Sequence, residues 1–126
     1  MNRGSILLQT IKAFESAGIQ TCILHDYRTY PDHIPSDVDL VVPPEQLAKI
    51  PTLLKEGAAR LGAQLVQVIQ YQKTSYAYIL AIPGGNGRVN FLQLDVSSDY
   101  RDIGRTFLNA QEFFDSRRRF KDFWVP

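Results

Sequence analysis

Ser36-Asp37-Val38-Asp39-Leu40-Val41-Val42 sets two carboxylates two residues apart at the head of an aliphatic run. Residues two apart on a strand point to the same face, so Asp37 and Asp39 project together, with Val41 next along. Val38, Leu40 and Val42 turn the other way, toward apolar surroundings. Two like charges this close repel, and burial sharpens the repulsion. A divalent cation between them would relieve it. The plainer alternative is a polar strand start whose carboxylates are simply solvated. A second stretch, Arg88 to Val96, shifts the balance. There Leu92, Leu94 and Val96 share one strand face, and Phe91, Gln93 and Asp95 share the other. If the two strands are neighbours, Asp95 falls beside Asp37 and Asp39. Three carboxylates from two strands are the smallest protein ligand set for a two-magnesium site. Magnesium, or manganese in its place, keeps waters and completes its shell from substrate phosphates, so few protein ligands suffice.

The elements that must position these acids can be read in chain order. Ser5 to Ala17 carries Leu7, Ile11 and Phe14 at helical spacing, with Gly18 as the stop. Ile19 to Leu24 reads as a strand. Asp26 to Ser36 is a loop rich in turn formers, holding Tyr27, Arg28, Tyr30 and His33; its aromatics either pin the loop or contact a ligand. Pro43-Pro44-Glu45 opens a helix that Pro51 should break, and a longer helix resumes with Leu54, Ala58 and Leu61 until Gly62. Gln64 to Gln72, Ser75 to Ile82 and Arg88 to Val96 form an antiparallel meander. In it Tyr71, Tyr76 and Tyr78 are expected to make cross-strand pairs. Pro83-Gly84-Gly85-Asn86-Gly87 lacks the Lys-Ser/Thr of a phosphate loop and reads as a hairpin turn. A polar loop follows Asp95, and Thr106 to Asn109 reads as a helical turn. Glu112 to Phe114 and Phe123 to Val125 are expected to pair as a hairpin. The Arg117-Arg118-Arg119 run between them is a solvated turn or an anion or nucleic-acid contact.

The order of helix, strand, loop, Asp37-Val38-Asp39 and a later isolated Asp95 resembles the DNA polymerase β-like nucleotidyltransferase superfamily. More narrowly, it is similar to the nucleotidyltransferase-like proteins of bacterial polysaccharide clusters and to those beside kinase-like domains. The resemblance implies an α/β (α+β) fold over a single domain, residues 1–126. It would hold a mixed, mostly antiparallel sheet of about five strands with helices on one face. It also implies metal-dependent transfer of a nucleoside monophosphate from a nucleoside triphosphate to a hydroxyl or phosphate acceptor. Asp37 and Asp39 would hold both magnesium ions, and Asp95 would bind the metal at the acceptor hydroxyl and help deprotonate it. His25, Arg28 and Ser36 around the loop, with Arg101 and Arg105 after Asp95, are the expected substrate contacts. The family opens its donor loop with Gly followed by Gly or Ser; this chain has His25-Asp26-Tyr27 there. A glycine lets backbone approach phosphate, whereas an aspartate repels it. The alternative is therefore a nucleotidyltransferase-like module that binds without catalysing.

Composition narrows the class. A formal net charge of +1 gives no global field for nucleic acid. The single cysteine, Cys22, forms no internal disulfide and reads as an inert core thiol. No leader peptide or membrane-spanning run is evident, so a cytoplasmic location is expected. Phe120, Phe123, Trp124 and Val125 are unusually apolar for a terminus. They either pack back on the sheet or belong to the N-terminal part of a longer architecture, since members of the resembling family commonly continue into a helical region. Absence of that region would leave an exposed apolar patch that drives homodimerisation.

Overall fold

The structure is a computed structural model that describes residues 2–100 and 109–126. Helix α1 (Arg3–Ser16) is started by Asn2, whose side chain accepts from the Ser5 amide while the Ser5 hydroxyl takes the Asn2 amide. This reciprocal pairing satisfies two of the free donors at a helix start. The helix buries Ile6, Leu7, Ile11 and Phe14 on one face. Strand β1 is only Cys22–Ile23, shorter than the six-residue run expected, and β2 is Val38–Val41. A 3-10 turn over Pro44–Lys49 leads into α2 (Ile50–Arg60), with Pro51 in its first turn. The break expected at Pro51 is thus a junction, because proline gives up no helical bond there. Strands β3 (Gln64–Gln72), β4 (Ser75–Pro83) and β5 (Val89–Ser97) form the meander. The Gly84 amide donates to the Arg88 carbonyl across the β4–β5 turn, as expected of a hairpin.

The sheet is five-stranded and mixed, in the order β1-β2-β5-β4-β3. All neighbours are antiparallel except β2 and β5, which run parallel. Parallel neighbours need a crossover. Here the chain between them supplies α2 and two strands. The closed face of the sheet gathers Leu40, Leu80, Leu92, Leu94 and Val96 against α1 and α2. At Gly4 of α1, an added Cβ would lie 1.8 Å from the Pro31 carbonyl oxygen, so only glycine lets the helix seat this closely on the loop before β2.

Three expectations change beyond β2. Glu112 to Phe114 belongs to a helix, α3 (Ala110–Asp115), capped by the Asn109 side chain. The C-terminal hairpin is instead β6 (Arg118–Phe120) with β7 (Phe123–Val125). Helices also occupy both faces, since Phe113 and Phe114 of α3 pack on Cys22 and Val41, opposite the α1 and α2 layer. Adjacent aromatics suited a strand by propensity, but an Asn cap and an apolar site beneath favour the helix. Tyr76 and Tyr78 stand opposite Val96 and Leu94 of β5 and Gln70 and Val68 of β3, as expected of cross-strand pairs, and also stack along β4 with 6.0 Å between ring centroids. Of the helical turn expected over 106–109, only Asn109 lies within the described residues.

The C-terminal residues pack back on the body: Phe123 and Val125 are buried in the main core. Those side chains are therefore not available as a dimerisation patch. Among the described residues no helix is long and apolar enough to cross a membrane.

Candidate carboxylate site

Parallel pairing of β2 with β5 sets Asp39 directly opposite Asp95. Both side chains leave the sheet on the face opposite α1 and α2, which is open where α3 does not cover it, because Leu40, Leu94 and Val96 fill the closed one. Neighbouring strands lie about 4.8 Å apart, so the two carboxylates are close. The Leu24 amide donates to the Asp39 carbonyl, which brings the end of β1 alongside. This places His25 Nε2 3.8 Å from Asp39 Oδ2. Gln93, two residues before Asp95 on the same face, donates from Nε2 to Asp95 Oδ1 at 3.0 Å.

The electrostatics follow from this crowding. Burial pushes the Asp39 carboxyl above its usual range; His25 opposes the shift, and Asp95, Asp37 and Asp26 add to it. Asp95 is also raised, first by burial and then by Asp37, against the Gln93 hydrogen bond. Whichever of Asp39 and Asp95 ionises second does so against the charge of the first, so the repulsion belongs to the pair. Asp37 is exposed and sits one residue outside β2. It acts on both acids electrostatically, but among the described residues no three His, Cys, Asp or Glu side chains come together as a metal-binding group. The triad expected from spacing is therefore a close pair with a third carboxylate nearby. Asp39 and Asp95 suit a magnesium ion that takes the rest of its shell from water and phosphate oxygens, not a cage closed by protein.

A shallow cleft of about 210 Å³ holds the pair, with Leu24, His25, Ser75, Ser97 and Asp99 among its walls. An adjoining cleft of about 540 Å³ is lined by His25, Asp26, Tyr27, Arg28, Thr29 and Pro35, so His25 stands where the two meet. Asp26 adopts φ 55°, the left-handed conformation that glycine takes most easily. Ser36 is exposed beside Asp37. Arg101 and Arg105 lie outside the described residues. Sequence reasoning passed over Ser75, Ser97 and Asp99 as site residues. Ser97 and Asp99 follow Asp95 at the same two-residue spacing, which could have flagged them; Ser75 arrives only through pairing with Ser97.

The loop before β2 is held by the C-terminal hairpin. Tyr27 packs edge-on against Phe120, Arg118 donates to the Tyr27 hydroxyl, and Lys121 donates to the Tyr30 carbonyl. The Tyr30–Pro31 peptide is cis. Tyr30 is fully buried, its hydroxyl has no hydrogen-bond partner among the described residues, and the phenol is pushed up to about 12 by burial, then by Asp39, Asp26 and Asp37.

The arginine run leads into β6 rather than forming a turn, and its guanidinium groups, though Arg118 and Arg119 are exposed, have partners within the chain. Arg117 donates to the Phe114 and Thr21 carbonyls and lies 4.5 Å from the Trp124 ring centroid. Arg119 covers the same ring and pairs with Glu15 at 3.5 Å. Cys22 is buried, and its thiol is pushed up to about 12 by that burial, in keeping with an inert core thiol. Compared with known proteins, the sequence matches no family model and none of the curated proteins.

Proposed function

We propose that the chain is a metal-dependent nucleotidyltransferase acting in the cytoplasm, with Asp39 and Asp95 as the central carboxylates and Asp37 as the third. The observation that carries this reading is the parallel β2–β5 register, which sets Asp39 against Asp95 at the mouth of a cleft. Such a pair is unfavourable by itself and favourable around a cation. Bound magnesium or manganese would supply charge neutralisation at the phosphates of a nucleoside triphosphate. Asp95, beside Asp39 in the cleft, is placed to hold a metal ion and to accept the proton of an acceptor hydroxyl bound there. His25 and Arg28 line the neighbouring cleft and offer positive or hydrogen-bonding groups to phosphate oxygens.

Asp26 favours a second reading, a catalytically impaired nucleotidyltransferase-like binding module whose donor loop is damaged. An acidic residue occupies the left-handed turn after β1, where the resembling family has glycine. Its charge would face a triphosphate.

A thermal-shift panel of the four nucleoside triphosphates, with and without magnesium or manganese, tests both. A ligand that binds the folded state raises the melting temperature. A shift requiring metal and nucleotide together, lost in Asp37→Ala, supports transfer chemistry. A metal shift without a nucleotide shift, converted to a joint shift by Asp26→Gly, supports the impaired module. No shift with any combination overturns both.

A further inference from the structure

We propose that β3 is a self-pairing edge, through which two copies of this chain join antiparallel into one continuous sheet. Strand β3 ends the sheet and is nine residues long. One side of its backbone therefore has no strand neighbour among the described residues. Edges of this kind are normally blunted by charge, proline, shortness or cover. Between Arg60 and Lys73 the sequence holds no charged residue and no proline. Val66, Val68 and Tyr71 on this strand are 48, 46 and 57 % exposed, and among the described residues only Val89 and Phe91 join them as exposed large hydrophobics.

The choice of a second copy follows from the edges available. The sheet's other edge, β1, has two residues and β7 packed against it, too little to receive a nine-residue strand. Head-to-tail growth is thus denied, and β3 against β3 closes after two copies. Opposed residues in an antiparallel pair share a face, so the two-fold must pass through a residue rather than between two. The pairing of β3 with β4 is irregular at Leu65/Gln67 and Gln70/Gln72, leaving Gln67 to Gln70 as the regular stretch. A two-fold at Val68 sets Gln67 against Ile69 of the second copy. No residue of β3 is charged, so no like charges meet along the paired strands.

Sedimentation over about 1 μM to about 1 mM tests this, a range in which a small interface associates measurably. The expected result is a monomer–dimer equilibrium. Val68→Lys should weaken it at least tenfold, and Phe91→Lys, the same change on the open face of β5, should leave it unaltered. Amide exchange on the unmutated chain gives a readout independent of folding in the variants: residues 64–72 should gain protection as concentration rises. A monomer throughout, a Val68→Lys dimer as tight as the unmutated one, or protection gained elsewhere but not on β3 overturns the proposal. Loss of association in Phe91→Lys with Val68→Lys unaffected would also overturn it, placing contact on the sheet face.

Discussion

Strand β5 faces two environments, one residue at a time. Leu92, Leu94 and Val96 enter a layer closed by α1 and α2, and all three are buried. Phe91, Gln93, Asp95 and Ser97 leave by the other face, where Phe91 is 56 % exposed and Asp95 sits beside Asp39. The closed face is nearly all hydrocarbon, so its contribution is burial. The open face keeps two carboxylates in mutual repulsion, an arrangement that weakens the fold and suits a cation. The difference teaches that stability and chemistry share one strand and can be separated by substituting adjacent residues.

The largest expected effect comes from breaking the closed face. Leu94→Ala removes a fully buried side chain and should cost roughly 2–5 kcal/mol in urea unfolding, as cavity-forming substitutions do. Its neighbour Asp95→Asn should change stability by no more than about 1 kcal/mol, because the group is partly exposed and its electrostatics are screened. Equal losses in the two variants would mean that the open face is also structural.

A smaller effect concerns pH. Asp39 and Asp95 hold their protons more tightly in the folded chain than in the unfolded one. Their contribution to stability is therefore fullest below the ordinary carboxylate pKa and is lost as pH rises through their raised values. Asp39→Asn should remove part of that decline, by up to about 1 kcal/mol after screening, in urea melts taken across this window without divalent metal. An unchanged slope would show that the paired acids do not repel in the folded state.

The smallest effect tests the closed side's own defect. Tyr30→Phe deletes a buried hydroxyl without a partner among the described residues and should leave stability equal or raise it by about 1 kcal/mol. A clear loss would reveal a hydrogen bond made by that hydroxyl in solution.

Much of this division was legible beforehand. Alternation along 88–96 assigned Leu92, Leu94 and Val96 to one face and Asp95 to the other, because strand side chains have a period of two. The meander followed from β-rich runs separated by glycine and proline, and α1 from its apolar spacing. The third helix was not legible. Phe113 and Phe114 read as strand residues until Cys22 and Val41 supplied a surface to cover. Nor was the arginine run, whose partners Thr21, Glu15 and Trp124 come from separated parts of the chain.

For the acids the boundary is sharp. Sequence alone determined that Asp39 and Asp95 each turn away from their aliphatic neighbours, since parity along a strand is local geometry. Only the tertiary structure decided that β2 lies parallel to β5, that Asp39 meets Asp95, and that Asp37 stays outside the strand. Those outcomes depend on which edges pair and in what register, and register is set by the fit of the whole closed face against α1 and α2.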